Sequence, residues 1–331
     1  MHRTALLIAA LLTGVGWPLH GGEGREVVKR SLPFLEKEGV AWMEDRGCVS
    51  CHQVPSMLWS LNGAARAGFE VDHGKLAKWW EWSLDWKNWV DPKRKVEEPK
   101  AIADNVDTIA KLLLGRIAAE KDAVWVVKYR DDLVKLQDTN GAWKAQGQLP
   151  LGRRPARETQ EVTTLYVLLA LKSAASAESP RAEVFQRASA WLAKAQPGKS
   201  TEWWALQLLA HREFGRTEEA EASRRSLLAQ QNSDGGWGWL VGEPGDAFGT
   251  GLALYALGRS GMTVADSAVQ KATVFLKTSQ AADGSWAVPS TRAKDNKKVR
   301  DTSSYWGTAW AALGILETLP GDGSHGGKDR R

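Results

Sequence analysis

The chain has 331 residues, a formal net charge of +5, two cysteines and eighteen tryptophans. Its length suits one large domain or two small ones, and the mixed composition excludes a disordered or collagen-like chain. The basic residues are spread along the sequence, which excludes the concentrated footprint of a nucleic-acid binder; the one dense stretch, Arg292 to Arg300 with Lys294, Lys297 and Lys298, reads as a solvated loop.

At the N-terminus, Met1-His2-Arg3 and the apolar run Ala5 to Gly16 have the form of a secretory leader. The run is too short to span a bilayer. Trp17-Pro18 breaks it and the small residues Gly21-Gly22 follow, so residues 1–22 are expected to be a signal peptide. The protein is then exported, to a periplasm or its equivalent, with no membrane span once the leader is removed. Because no A-x-A pattern precedes the cleavage region, an uncleaved N-terminal anchor is the alternative.

Both cysteines fall in Cys48-Val49-Ser50-Cys51-His52. Two thiols at this spacing can form thioethers to the two vinyl groups of one porphyrin, and the adjacent imidazole can take the iron as proximal ligand. The segment resembles the attachment motif of c-type cytochromes, which implies covalent haem c on Cys48 and Cys51 with His52 on the iron, attached outside the cytoplasm. Two other readings use the same atoms: a small disulfide clip, or a metal held by two thiolates and the imidazole with Glu44, Asp45 or Gln53 as fourth ligand. Met43 and Met57 flank the motif as candidates for the sixth iron ligand. A ligand so close to His52 in sequence reaches the opposite haem face with difficulty, so the expectation is weak ligation by one of them or a five-coordinate iron. Both read equally as core packing.

Three later segments share one pattern: Gln137…Gly141-Ala142-Trp143, Gln231…Asp234-Gly235-Gly236-Trp237 and Gln280…Asp283-Gly284-Ser285-Trp286. Their tryptophans are 94 and 49 residues apart, which fits a repeat of about 47 to 49 residues. Each unit reads as two helices, the first ending at the Gln, an Asp-Gly turn, and then a more apolar helix such as Thr302 to Leu316. The hairpins are expected at 26–70, 75–121, 124–175, 181–215, 217–260 and 265–319, with small residues letting the second helices pack closely. Six hairpins can close into a ring.

At these residues the chain resembles the squalene-hopene cyclases and protein prenyltransferases, whose α/α toroids carry Q-x-x-x-G-x-W repeats. The resemblance implies an all-α toroid over residues 23–320, followed by a disordered tail at 321–331, and says little about the reaction. It weakens over 75–121, and Gln196-Pro197-Gly198 in the fourth hairpin lacks the Trp. Cys48 precedes Trp143 by 95 residues, two repeat lengths. The haem motif thus stands in place of the first hairpin's turn, between an outer helix at Val27 to Met43 and an inner one at Val54 to Gly68.

The cyclases' acid motif, D-x-D-D-T-A, has a partial counterpart in Asp104-Asn105-Val106-Asp107-Thr108-Ile109-Ala110, which keeps two acids and the Thr but not their spacing. Asp104 and Asp107 read first as helix caps, as do Glu158, Asp246 and Asp301. Asp131-Asp132 falls on an outer helix, and the prenyltransferase zinc site fails because both cysteines are committed. The turn tryptophans read as staples between hairpins, while Tyr305, Trp306 and Trp310 offer an aromatic lining for an apolar small molecule. The leading expectation is an exported haem protein that passes electrons to a redox protein or senses a small ligand. Its rivals are a cyclase-like enzyme with Asp104 or Asp107 as acid, and a lipid- or protein-binding toroid in which the cysteines form a disulfide.

Overall fold

A computed structural model describes residues 18–49, 53–91, 93–117, 123–147, 149–175 and 182–320. Most of the expected leader and the C-terminal tail lie outside these residues. The described residues form α-helices and isolated bridges, without strands. The helices pair in chain order: α1 (Pro18–Arg46) with α2 (Val54–Arg66), α3 (His73–Leu84) and short α4 (Glu98–Ala103) with α5 (Val106–Gly115), and α6 (Val124–Lys135) with α7 (Ala156–Ser173). Then come α8 (Ala182–Leu192) with α9 (Thr201–Glu213), α10 (Thr217–Ala229) with α11 (Ala247–Arg259), and α12 (Ser267–Ser279) with α13 (Asp301–Thr318). Pro18, read as a breaker of the leader, opens α1, where its fixed φ is compatible with a first helical turn.

The second helix of each pair is buried on nearly every side, whereas first helices such as α10 and α12 bury a single stripe. That difference sorts them into two shells. The inner helices α2, α5, α7, α9, α11 and α13 each pack on the next, α13 returns to α2, and α1 closes the outer shell against α12. The fold is an α/α toroid. Inner helices run parallel: Ser60 reaches the Ala309 carbonyl while Gly63 faces Leu313 and Leu316, and Gly251 faces Trp310 while Gly258 faces Glu317. All six therefore begin at one rim. A Cβ on Gly251 or Gly314 would run into the facing backbone, so the small residues permit the close α11–α13 approach.

The repeated motif is a clamp with the same wiring in three places. Gln137 Nε2 donates to its own turn at Gly141 O (2.8 Å) and to Val184 O of the next outer helix (2.9 Å); Gln231 does so to Gly235 O and Ala268 O, and Gln280 to Gly284 O and Val27 O. The indoles of Trp143, Trp237 and Trp286 donate backwards to Leu133, Leu227 and Leu276, while their backbone amides bond to Thr164, Thr250 and Thr308 on the inner helices. Each Trp thus joins the outer and inner helices of its hairpin, and each Gln joins that hairpin to the following one. The other turns differ. In the second hairpin Trp89 donates to Ser83 O and stacks on Tyr129 at 5.0 Å, and in the fourth Trp204 of α9 donates to Gly198 O.

The inner helix does not follow the clamp directly, as the sequence pattern suggested. Long connections intervene, the longest between Trp286 and α13. The basic stretch within it is tied down rather than simply solvated: Lys297 pairs with Glu243 and Arg300 with Asp295.

Gly284 has φ +88°, and an added Cβ would collide with the Arg30 backbone at the seam where the ring closes; Gly261, at φ +96°, faces open space. Gly261→Ala is expected to cost about 1 to 2 kcal/mol, the left-handed strain alone. Gly284→Ala should cost at least about 2 kcal/mol more, since it also breaks packing. Urea unfolding of the two variants checks the difference.

Candidate functional site

Of the Cys48–His52 segment, Cys48 and Val49 are described, and they follow α1, while Gln53 leads into α2. Gly47, at φ +59°, ends α1 and donates to Met43 O. The Trp42 indole donates to Cys48 O (2.9 Å), with the Arg46 guanidinium over its ring. Val49 is fully buried, donates to Asn88 O at 2.6 Å and accepts from Val54 N at 3.2 Å. The entry to the motif is thereby fixed against the Trp86–Trp89 turn of the second hairpin. Cys51 and His52 lie outside the described residues.

Cys48 is half-buried on an anchored backbone beside the Trp42 indole, and the Gln53 Oε1, immediately after the motif, is buried without a hydrogen-bond partner among the described residues. Met57 is fully buried in the α1–α2 interface, where its sulfur fills the space beside Gly39, and half-buried Met43 packs at the end of α1. Core packing is therefore the role the structure gives Met57. Glu44 and Asp45 are exposed on the last turn of α1.

A second constellation occupies the interior just below the same rim. Asp107, in the first turn of α5, is buried and accepts from Thr163 Oγ1 of α7 at 3.1 Å. Lys111, one turn on, is also buried, its ammonium 4.7 Å from the Trp306 ring centroid and 5.5 Å from that of Tyr166. The Tyr166 hydroxyl donates to Glu202 Oε1 (3.0 Å), and the other oxygen of Glu202 meets Arg154 at 2.6 Å, a pair whose side chains are only 2–3% exposed. Arg154 also donates to Thr159 and Ser200. Burial pushes the Asp107 carboxyl up to about 6, with Lys111 and the Thr163 hydrogen bond acting in the opposite direction.

These positions revise the capping assignments. Asn105, not Asp104 or Asp107, precedes α5; Asp104 ends α4 and pairs with Lys100 at the surface. Asp107, in the first turn of α5, has its carboxylate turned to Thr163 of α7 rather than to its own helix's amides. Asp246 does cap α11, accepting from Gly249 N at 2.8 Å, and burial also pushes it up to about 6. Glu158 spans to the next inner helix, accepting from Lys199 N, Ser200 N and Ser200 Oγ. Exposed Asp131 pairs with Arg130 and Asp132 with Lys128 on outer helix α6.

Below the cluster, aromatic rings fill the axis. Trp59, Tyr255 and Trp310 lie 5.4–5.6 Å apart by centroid, and Tyr166 reaches Trp310 at 6.4 Å from the opposite inner helix. Trp306 and Trp310 do line the interior. Tyr305 does not: its hydroxyl donates to Leu35 O and its ring faces Phe34 on α1, so it serves the hairpin seam. A cleft of about 340 Å³ opens between the second and third hairpins, lined by Trp89, Arg94, Asp104, Asn105 and Gln146. Lys111, Arg154, Tyr166 and Glu202 escaped the sequence reading. Their signal was a polar side chain inside an apolar helical run, as in Ile109-Ala110-Lys111-Leu112-Leu113.

No family model matches the chain, and no curated protein matches it. Solved structures do. The type II terpene cyclase MstE from Scytonema aligns over 91% of this chain and 99% of its own with a TM-score of 0.53 at 13% identity. An unsaturated glucuronyl hydrolase from Bacillus sp. GL1 aligns over 91% and 96% with 0.54 at 14% identity, and a protein from Actinoplanes over 90% and 100% with 0.57 at 15%. At these identities the likeness is one of fold, and it places the chain among α/α toroids.

An acid whose folded pKa is raised favours its protonated form on folding. Asp107 thus contributes no penalty below its ordinary value of 3.8, and a penalty that grows up to about pH 6 and then stays constant. Relative to wild type, Asp107→Asn should gain up to about 3 kcal/mol between pH 4 and pH 8, from 1.36 kcal/mol per pKa unit. Chemical denaturation of both proteins at the two pH values measures it.

Proposed function

We propose that this is an exported c-type haem protein built on an α/α toroid, in which Cys48 and Cys51 carry the porphyrin and His52 ligates the iron. The observation that carries the reading is the C-x-x-C-H segment itself, holding both cysteines of the chain next to the only histidine able to follow them. Its support in the fold is the fixed entry at Gly47, Cys48 and Val49, with the Trp42 indole bonded to the Cys48 carbonyl. When bound, the haem would supply one-electron chemistry or binding of a small ligand at iron. The chain's own part is to hold the attachment turn against the second hairpin. Met57, locked between α1 and α2, is not free to swing toward an iron, which leaves half-buried Met43 or an open sixth position. No described helix is long and apolar enough to cross a membrane. A redox protein is the partner class this reading calls for.

Expression in a host competent for c-haem maturation, followed by denaturing electrophoresis and haem staining, tests it. Wild type should retain covalent haem and Cys48→Ala/Cys51→Ala should lose it; a colourless wild type defeats the reading. Carbon monoxide should bind the reduced protein rapidly and completely, and an unchanged spectrum would reveal a strong sixth ligand.

A second reading, proton-transfer catalysis at the toroid interior, is favoured by Asp107. A buried carboxyl titrating near neutrality beside Lys111 can exchange a proton with a substrate. Toroid relatives by fold include a terpene cyclase and a glucuronyl hydrolase, so polyprenyl and glycoside substrates are the first to try. Turnover in wild type that falls at least 100-fold in Asp107→Asn supports this reading.

A further inference from the structure

The connection leading into α13 does more than join two elements. Its root is fixed, because Val288 is buried, its amide bonds to Ser304 and its carbonyl accepts from Ser303. From there residues 289–300 leave the sixth hairpin and cross to the third, which lies opposite in the ring. Arg153 N donates to Thr291 O at 2.8 Å, Arg153 Nε donates to Ser290 O, and Gly152 bridges Arg292. From the fifth hairpin Glu243 joins both sides, taking Arg153 at 2.7 Å and Lys297 at 2.8 Å. The segment forms a chord across the mouth of the toroid.

Three properties distinguish this chord from ordinary core. No apolar side chain of residues 291–300 is buried, and Val299 is exposed, so polar links alone hold it down. Its tip is strained, with Asn296 and Lys297 consecutively in the left-handed region that non-glycine residues avoid. And the residue after its main anchor belongs to the interior: Arg153 holds the chord, whereas Arg154 holds Glu202. Trp239 lies between, with both guanidinium groups within 5.6 Å of its ring and its indole N–H buried without a hydrogen-bond partner among the described residues.

We propose that residues 291–300 are a hinged cover over the toroid mouth, latched by Glu243 between Arg153 and Lys297, whose release admits small polar molecules to Arg154, Tyr166 and Glu202. The hinge is the fixed root at Val288 to Ser290. Release needs the loss of ion pairs and backbone hydrogen bonds, without withdrawing any buried apolar side chain of residues 291–300. The proposal requires neither haem nor turnover.

Glu243→Gln in the full chain tests it through three readouts. The cover contains five trypsin sites, Arg292, Lys294, Lys297, Lys298 and Arg300, and cleavage there should accelerate at least tenfold. Amide exchange at Arg153, whose N–H donates to Thr291 O of the cover, should accelerate with it while Trp237 and Trp286 stay protected. Labelling of Arg154 by phenylglyoxal, mapped by mass spectrometry, should rise in parallel. Wild type in 0.5 M NaCl should move in the same direction. Unchanged cleavage overturns the latch; acceleration accompanied by exchange at Trp237 and Trp286 overturns the hinge, because the whole ring is then unfolding; and an open cover with Arg154 still unlabelled overturns the gating.

Discussion

A helical hairpin cannot bury its second helix alone, and the Gln–Gly–Trp clamp is what makes one hairpin the wall of the next. The side-chain amide satisfies its own turn and its neighbour's carbonyl together, while a glycine without a Cβ lets the two backbones meet. The wiring occurs at the junctions of the third hairpin with the fourth, the fifth with the sixth and the sixth with the first. The remaining junctions use other means: Val49 on Asn88, Trp89 on Tyr129, and a bridge between Ser200 and Leu240. The junctions of the second hairpin, on either side, thus rest on bespoke contacts rather than on the repeated one.

Parallel inner helices have an electrostatic consequence. Their N-termini converge on one rim, and the positive ends of their dipoles favour carboxylates there. Asp246 answers that field directly as a cap, and Glu158 does so through the amides of Lys199 and Ser200. Asp107 is held instead from the neighbouring inner helix, by the Thr163 hydroxyl. At both Asp107 and Asp246 desolvation outweighs these partners, and the carboxyls are pushed up to about 6. The connections of hairpins three to six interlock over that end.

The repeat made the ring legible, since a Gln, a Gly and a Trp at fixed offsets demand one geometry. Asp107 was visible as an acid but misjudged as a cap, because a first-turn position reads the same whether the side chain points to its own amides or to the axis. Tyr305 was misplaced for a similar reason: on a helix buried all round, periodicity cannot separate the axial face from the face toward α1. Arg153 and Glu243 sit in connections without periodicity, 90 residues apart. Nothing local announces such a pair.

Closure distinguishes this ring from an open superhelix of the same units. The Gln280–Val27 contact spans 253 residues, against 47 for the Gln137–Val184 contact that does the same task between adjacent hairpins. Loop-closure entropy grows only with the logarithm of length, so joining the ends costs about 1.5 kcal/mol more than joining neighbours. One clamp, identical to those inside the array, can offset that difference. Whether such a chain ends as a spiral or a circle is then decided at a single junction, and an array of this kind can pass from solenoid to toroid by acquiring one more copy of a contact it already has.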